Sequence, residues 1–328
     1  MYIWLLIVSS ICLLINCQKE EAELLELSDC RYNYTEPAVN KDSTFTEIGV
    51  FGGPQRIYQS RYQYHSPRFN PNNPDEILYV RLDTEASMNG YSYQIRIFNF
   101  CTGEDRILTE HGTDKIDWGK NGWIAFNGMD SDMRMIKANG DSLTRITFGS
   151  ITSNPIWDNR GESLFFRDNK YGYKMRYYPK TNTIDTLDVP YGGIADWVND
   201  DVVLCGACHP YCGVFYYNMI TDELTKVEYS NPNGGGSGLH YMKQSDKILW
   251  GKGRLILVFT PFTENRTVLT EGSDNRSYIQ LNLSPDERTI VSERIDVIRT
   301  APFTHKVQHS IYLMNIDGTD ERKVVFPE

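Results

Sequence analysis

Asn282-Leu283-Ser284-Pro285-Asp286 leads into Thr289-Ile290-Val291-Ser292, and Ser310-Ile311-Tyr312-Leu313-Met314 runs into the turn Asn315-Ile316-Asp317-Gly318. The order is an apolar anchor, a polar turn, a short apolar strand and, past an insertion, a second strand closed by a second turn. The same order returns from Ser66-Pro67-Arg68-Phe69, from Ile116-Asp117-Trp118, from Asn154-Pro155-Ile156-Trp157, from Asp196-Trp197 and from His240-Tyr241-Met242. A unit that recurs about every 40 residues marks a repeat architecture.

Each copy holds three or four short strands rich in Ile, Val, Phe and Tyr. Asn, Asp, Gly and Pro bound them, which is how hairpins are punctuated. So small a unit cannot bury its apolar faces alone and must stack on its neighbours. Four-stranded sheets repeated at this period form propeller blades, and closing the ring leaves only short, protected edges. The fold expected over 45–328 is therefore all-β, a six-bladed β-propeller of four-stranded antiparallel blades. A helical solenoid is excluded, because no window past the N-terminus sustains an i, i+3, i+4 pattern. A sandwich or jelly roll would not need the anchor to recur. Thr46-Glu47-Ile48-Gly49-Val50-Phe51 and Gln55-Arg56-Ile57-Tyr58 precede the first anchor and belong to no copy. One of them is expected to complete the blade that ends near Val325, since an unclosed ring would expose an edge strand.

Pro155-Ile156-Trp157-Asp158, Leu283-Ser284-Pro285-Asp286 and Ile311-Tyr312-Leu313-Met314-Asn315-Ile316-Asp317-Gly318 resemble the TolB-type, WD40-like repeat of bacterial β-propellers. The resemblance covers roughly residues 60–326. It implies an architecture rather than an activity, because propellers of this type serve as docking platforms, periplasmic accessory proteins and gating domains of peptidases.

The first sixteen residues carry no charge and end at Cys17, followed at once by Gln18-Lys19-Glu20-Glu21. That apolar run is short of the roughly 20 residues of a membrane span and reads as a secretory signal. Leu14-Ile15-Asn16-Cys17 resembles the lipobox of bacterial lipoproteins, which implies a signal peptide over 1–16, a lipidated Cys17 and a flexible tether over 17–44. An ordinary signal with an incidental cysteine is the alternative, and on either reading the chain leaves the cytoplasm. Gln18-Lys19-Glu20-Glu21 resembles the acidic export tag of surface-displayed outer-membrane lipoproteins; read as a plain solvated charge run, it leaves a periplasmic location open. All 33 basic and 43 acidic residues follow the signal, so the net charge of −10 stays with the mature chain. No Lys/Arg stripe interleaved with aromatics appears, which excludes nucleic acid as a partner. A monomer is expected.

Cys205-Gly206-Ala207-Cys208-His209 fits the C-x-x-C-H pattern of covalent haem attachment. With Cys212 nearby, a disulfide across a hairpin, free thiols or a zinc site are open alternatives. No other cofactor is indicated. Cys30 and Cys101 could pair with each other. His305 and His309 are spaced i, i+4, but they fall in a long hairpin where no helix is expected, so they read as loop histidines rather than metal ligands. The run Gly234-Gly235-Gly236-Ser237-Gly238 lacks the Lys-Ser or Lys-Thr of a phosphate cradle and reads as a connection between blades. No G-x-S-x-G elbow occurs.

What remains is the axial channel. The innermost strand of each blade lies near the axis, so polar residues around the anchors should ring one mouth: Arg68, Asp117, Asn154, Asp196, His240 and Gln280, with Asn282 adjacent. Such a ring suits a polar ligand or a peptide terminus; the alternative is that its members satisfy one another and trapped water. The function expected is a non-catalytic binding or scaffold module for a protein or glycan partner at the cell envelope. The alternatives are a polysaccharide lyase or hydrolase working through His240, Asp117 and Asp196, and a haem-bearing electron carrier built on Cys205, Cys208 and His209.

Overall fold

The computed structural model describes residues 29–39, 55–86, 92–187, 193–207, 213–229, 236–252, 254–273, 275–301 and 304–327. The signal segment, Cys17 and the candidate strand Thr46–Phe51 lie outside them. Blade 1 is formed by Tyr62–Asn70, Asn73–Asp83, Ser92–Asn99 and Asp105–Thr109, and blade 2 by Gly112–Trp118, Trp123–Gly128, Met133–Lys137 and Thr144–Arg145. Blade 3 comprises Thr152–Trp157, Leu164–Asp168, Lys174–Tyr178 and Thr183–Leu187, and blade 4 Gly193–Trp197, Val202–Ala207, Gly213–Asn218 and Leu224–Tyr229. Blade 5 comprises Gly236–Met242, Lys247–Lys252, Leu255–Phe259 and Arg266–Glu271, and blade 6 Arg276–Leu283, Thr289–Ala301, Thr304–Asn315 and Arg322–Val324. Neighbouring strands within each blade run antiparallel, and each innermost strand touches the next around the circle until blade 6 meets blade 1. The chain is an all-β, six-bladed propeller.

Burial explains why the anchor recurs. Six apolar clusters occupy the six interfaces between neighbouring blades. Phe69, Trp118, Trp157 and Trp197 are buried one per interface, and Tyr241 and Leu283 pack partly buried at the remaining two. A blade has two faces and each must be covered by a neighbour, so a large side chain is needed once per unit. Burying one such residue contributes about 1.5–3 kcal/mol.

In all six blades, the pairing of innermost and second strand slips just before the anchor. A bulge of this kind adds a residue, sharpens the twist and re-aims the side chain that follows. Ser66, Asn154, Gly238 and Gln280 take positive φ at these slips. Gly238 carries a further constraint, because a Cβ there would lie 2.7 Å from the backbone nitrogen of Leu281 in blade 6. The second half of the glycine run is thus the start of an innermost strand, where blades 5 and 6 approach too closely for a side chain, and not a connection.

Ring closure is richer than expected: Gln55–Tyr58 joins the blade that ends near Val325, but it does not complete it. Blade 6 supplies four strands of its own, and the N-terminal segment adds to them. Thr35–Pro37 forms a fifth, outermost strand beside Arg322–Val324, while Gln55–Tyr58 pairs in parallel with the start of Thr304–Asn315. Residues 29–39, inside the stretch expected to be a tether, are docked across the seam between blades 6 and 1. A disulfide joins Cys30 to Cys101 in blade 1. Arg31, only 3% exposed, bonds Asp286 and, at 2.9 Å, Thr289 of blade 6, and lies 3.5 Å from Asp75 of blade 1. Tyr34 packs edge-on against Phe98, and its carbonyl accepts the N–H of Val325 at 2.8 Å. Phe326 then stacks on Tyr64 and Tyr79 of blade 1 at 4.7 and 4.3 Å. Both ends of the ring are clasped to blade 1.

Candidate functional site

Arg68, Asp117, Asn154, Asp196, His240 and Gln280 all line one axial cavity of about 480 Å³, together with Asn282. The bulges bring them there: the residue immediately before each anchor is turned off the strand and toward the axis. In blades 1 to 6 that residue is Arg68, Asp117, Ile156, Asp196, His240 and Asn282.

These side chains are already at work on the ring. Asp117 of blade 2 accepts the Trp157 N–H of blade 3 at 2.7 Å, and Asp196 of blade 4 accepts the Tyr241 N–H of blade 5 at 2.8 Å. Asn282 of blade 6 accepts the Phe69 N–H of blade 1 at 2.8 Å. Every even blade therefore holds the backbone of the next odd blade at its anchor. Asp196 also accepts the N–H of its own Trp197 at 2.7 Å, so one carboxylate joins two anchors. A buried N–H left without such a partner costs about 1–3 kcal/mol.

The odd blades contribute differently. Arg68 donates to the Pro67 carbonyl at 2.9 Å and to Gln280 Oε1 at 3.2 Å. Burial lowers its pKa from the usual guanidinium value, against the pull of Asp117, Glu293 and Asp196, yet an arginine at such a site stays charged. Burial likewise raises the pKa of Asp117, opposed by Arg68 and by the N–H groups of Trp157 and Trp118. His240 Nε2 lies 2.7 Å from the Leu281 carbonyl, and Nδ1 lies 3.4 Å from Asp196. A carbonyl oxygen can only accept, so Nε2 carries the proton and has no lone pair to offer a substrate. Asn154 stands exposed to the cavity at φ 53°.

Of the cysteine motif, Gly206 lines this cavity and Cys205 does not. Cys205 is a free thiol buried with Phe165, Trp197, Phe215 and Tyr217, and burial pushes its pKa up to about 12. A thiol this neutral and enclosed is a packing residue. It forms no disulfide across the hairpin; Cys208, His209 and Cys212 lie outside the described residues. His305 and His309 fall on one strand, where four residues span about 13 Å, too far to share an ion.

A second surface went unread in the sequence. The turn between the second and third strands of blade 2, the link Arg145–Thr152 and the corresponding turn of blade 3 are tied by backbone bonds from Thr152 to Ser131 and from Asn169 to Ile151. Met129, Phe148, Ile151, Tyr171 and Tyr173 stand out from these loops, each more than half exposed, with Phe148 at 76%. Tyr171 and Tyr173 stack on each other. Beneath them Asp132, 1% exposed, accepts bonds from Thr147 Oγ1 at 2.9 Å, Gly149 N at 3.1 Å, Ser150 N at 3.0 Å and Arg145. Arg145 in turn lies 4.9 Å from the Phe148 ring. One buried carboxylate thus fixes the loop that displays Phe148.

No protein-family model matches the chain, and no curated protein matches it. Solved structures do. TolB from Acinetobacter baumannii is similar at a TM-score of 0.56 and 12% identity, over 81% of this chain and 64% of that one. The chain thus spans less than two thirds of that TolB. The β-propeller domain of the Trilobed protease from Pyrococcus furiosus, described as having an open velcro topology, is similar at 0.55 and 11% identity, over 82% of this chain and 100% of that one. An oligogalacturonate lyase in complex with manganese is similar at 0.52 and 10% identity, over 81% and 78%. At such identities the likeness lies in the fold, a TolB-like six-bladed propeller.

Proposed function

We propose that the chain is a non-catalytic binding module, held at the cell envelope by a lipid on Cys17, that docks a protein partner on the loop face of blades 2 and 3. The observation that carries this reading is that Met129, Phe148, Ile151, Tyr171 and Tyr173, all exposed, gather on adjoining loops tied to one another by backbone bonds. Contiguous apolar surface of this kind marks an interaction site, and its aromatic and Met content is what interface cores select. The Asp132 bonds hold the loop in one shape before any partner arrives, which lowers the ordering cost of binding. A glycan partner is the second candidate, since the stacked tyrosines also present ring faces.

The axial cavity argues in the same direction. A lyase or hydrolase needs a base within hydrogen-bond reach of the proton it removes. His240 has its Nε2 proton on a carbonyl, and Asp117 and Asp196 each commit an oxygen to a backbone N–H of the next blade, which ties them to the ring.

The test places a photo-reactive amino acid at Phe148, and separately at Ile220, which is 74% exposed on the opposite face in blade 4. Irradiation of cells making the full chain should give a discrete adduct from position 148 and none from 220. Equal adducts from both positions, or none from 148 together with turnover of oligogalacturonate by the purified chain, would overturn the reading in favour of the enzyme.

A further inference from the structure

Two groups of potential metal donors occur among the described residues. In the first, Cys30 and Cys101 are tied to each other in a disulfide, which removes both thiolates. The second is His65, Glu293 and His309, whose donor atoms all lie within 4.8 Å of one another. They come from three strands: His65 from the innermost strand of blade 1, Glu293 and His309 from the second and third strands of blade 6. They therefore meet at the seam where the ring closes.

We propose that a divalent first-row transition-metal ion displaces the Nδ1 protons that His65 and His309 direct at Glu293 Oε1 and is held by those three atoms, joining blade 6 to blade 1. Glu293 Oε1 is 3.0 Å from His65 Nδ1 and 2.7 Å from His309 Nδ1. Bonds of about 2.0–2.2 Å at angles between square and tetrahedral set neighbouring ligand atoms about 3 Å apart, which these spacings approach. Two imidazoles and one carboxylate are the donor set of zinc, manganese and non-haem iron sites, and three protein ligands leave at least one position for water.

The surroundings are those of a fixed site. Glu293 is 2% exposed, and its other oxygen accepts the Ser66 N–H at 2.9 Å, so the carboxylate cannot swing. Gln63, fully buried, accepts the His309 N–H at 2.7 Å and sets the position of that strand. The two imidazole rings sit 4.5 Å apart, close enough to face one ion. Interior charges are found paired or on metals, and a divalent ion at these three atoms would pair the Glu293 carboxylate.

The test uses the full chain stripped with EDTA and titrated calorimetrically with Zn2+ alone and with Mn2+ alone. Manganese is included because it favours nitrogen and oxygen over thiolate, which separates this site from Cys208, His209 and Cys212. Binding of one equivalent is expected, with a rise in the thermal midpoint. His309→Gln and Glu293→Gln, each checked for native circular dichroism, should weaken affinity about 100-fold or more. Absence of binding by both ions overturns the proposal, as does affinity unchanged in both variants or a midpoint unmoved at saturating metal.

Discussion

Arg31→Ala should lower the unfolding free energy by about 3–5 kcal/mol, because removing one partner of a buried ion pair leaves the other uncompensated. The guanidinium is 3% exposed and touches Asp286, Thr289 and Asp75, which belong to the last and first blades. Its loss strands Asp286 and Asp75 at the seam and frees the segment that carries Tyr34 and the Thr35–Pro37 strand. Asp286 is held low by Arg31 and Ser284 although its burial acts to raise it, so its acid limb should move up when Arg31 is gone. Arg61→Ala is the control: Arg61 pairs with Asp83 at a 49% exposed position, where solvent screens the pair and its loss changes stability little. Urea unfolding reads both. An Arg31→Ala midpoint as little changed as that of Arg61→Ala would remove the clasp from the account.

Asp132→Ala should cost about 1–3 kcal/mol, since it leaves the buried hydroxyl of Thr147 without its acceptor, gives the N–H groups of Gly149 and Ser150 over to solvent and releases Arg145. Burial acts to raise the Asp132 pKa, but the bonds from Ser150, Arg145, Gly149 and Thr147 prevail and hold it below the usual carboxylate range. A depressed folded pKa gives stability that is present above the unfolded value of about 3.9 and is lost as pH falls through the folded value. The difference between wild type and Asp132→Ala should therefore be flat above about pH 5 and shrink below about pH 4. Thermal unfolding across that range checks the sign. A difference that grows on acidification would contradict it. The same variant should blunt docking at Phe148, because the loop it anchors is no longer held.

The fold was legible because the anchor obeys a demand that each blade meets separately. Phe69, Trp118, Trp157 and Trp197 each fill one interface, and a large residue at each can be counted along the chain without knowing any long-range contact. The axial set was legible for the same reason, since position relative to the anchor fixes distance from the axis. Its role was not. That Asp117, Asp196 and Asn282 accept N–H groups from the next blade depends on bulges whose register a one-dimensional pattern does not state, though acids or amides before the anchor in alternate copies were a visible trace. The N-terminal clasp was missed because Cys30 and Arg31 act on residues 71 and 255 positions away, in a stretch whose composition reads as linker. His65, Glu293 and His309 escaped for the same cause: two blades distant in sequence become neighbours only when the ring closes.

In the function proposed, the axial polar residues hold the ring and docking takes place on the loops of blades 2 and 3. Asp196→Ala separates the two most directly, because Asp196 accepts both the Trp197 and the Tyr241 N–H. Urea unfolding should show a loss of about 1–3 kcal/mol, with the adduct from position 148 formed at its normal yield below the unfolding transition. A variant as stable as the wild type that abolishes partner capture or oligogalacturonate turnover would contradict the account and return the function to the channel.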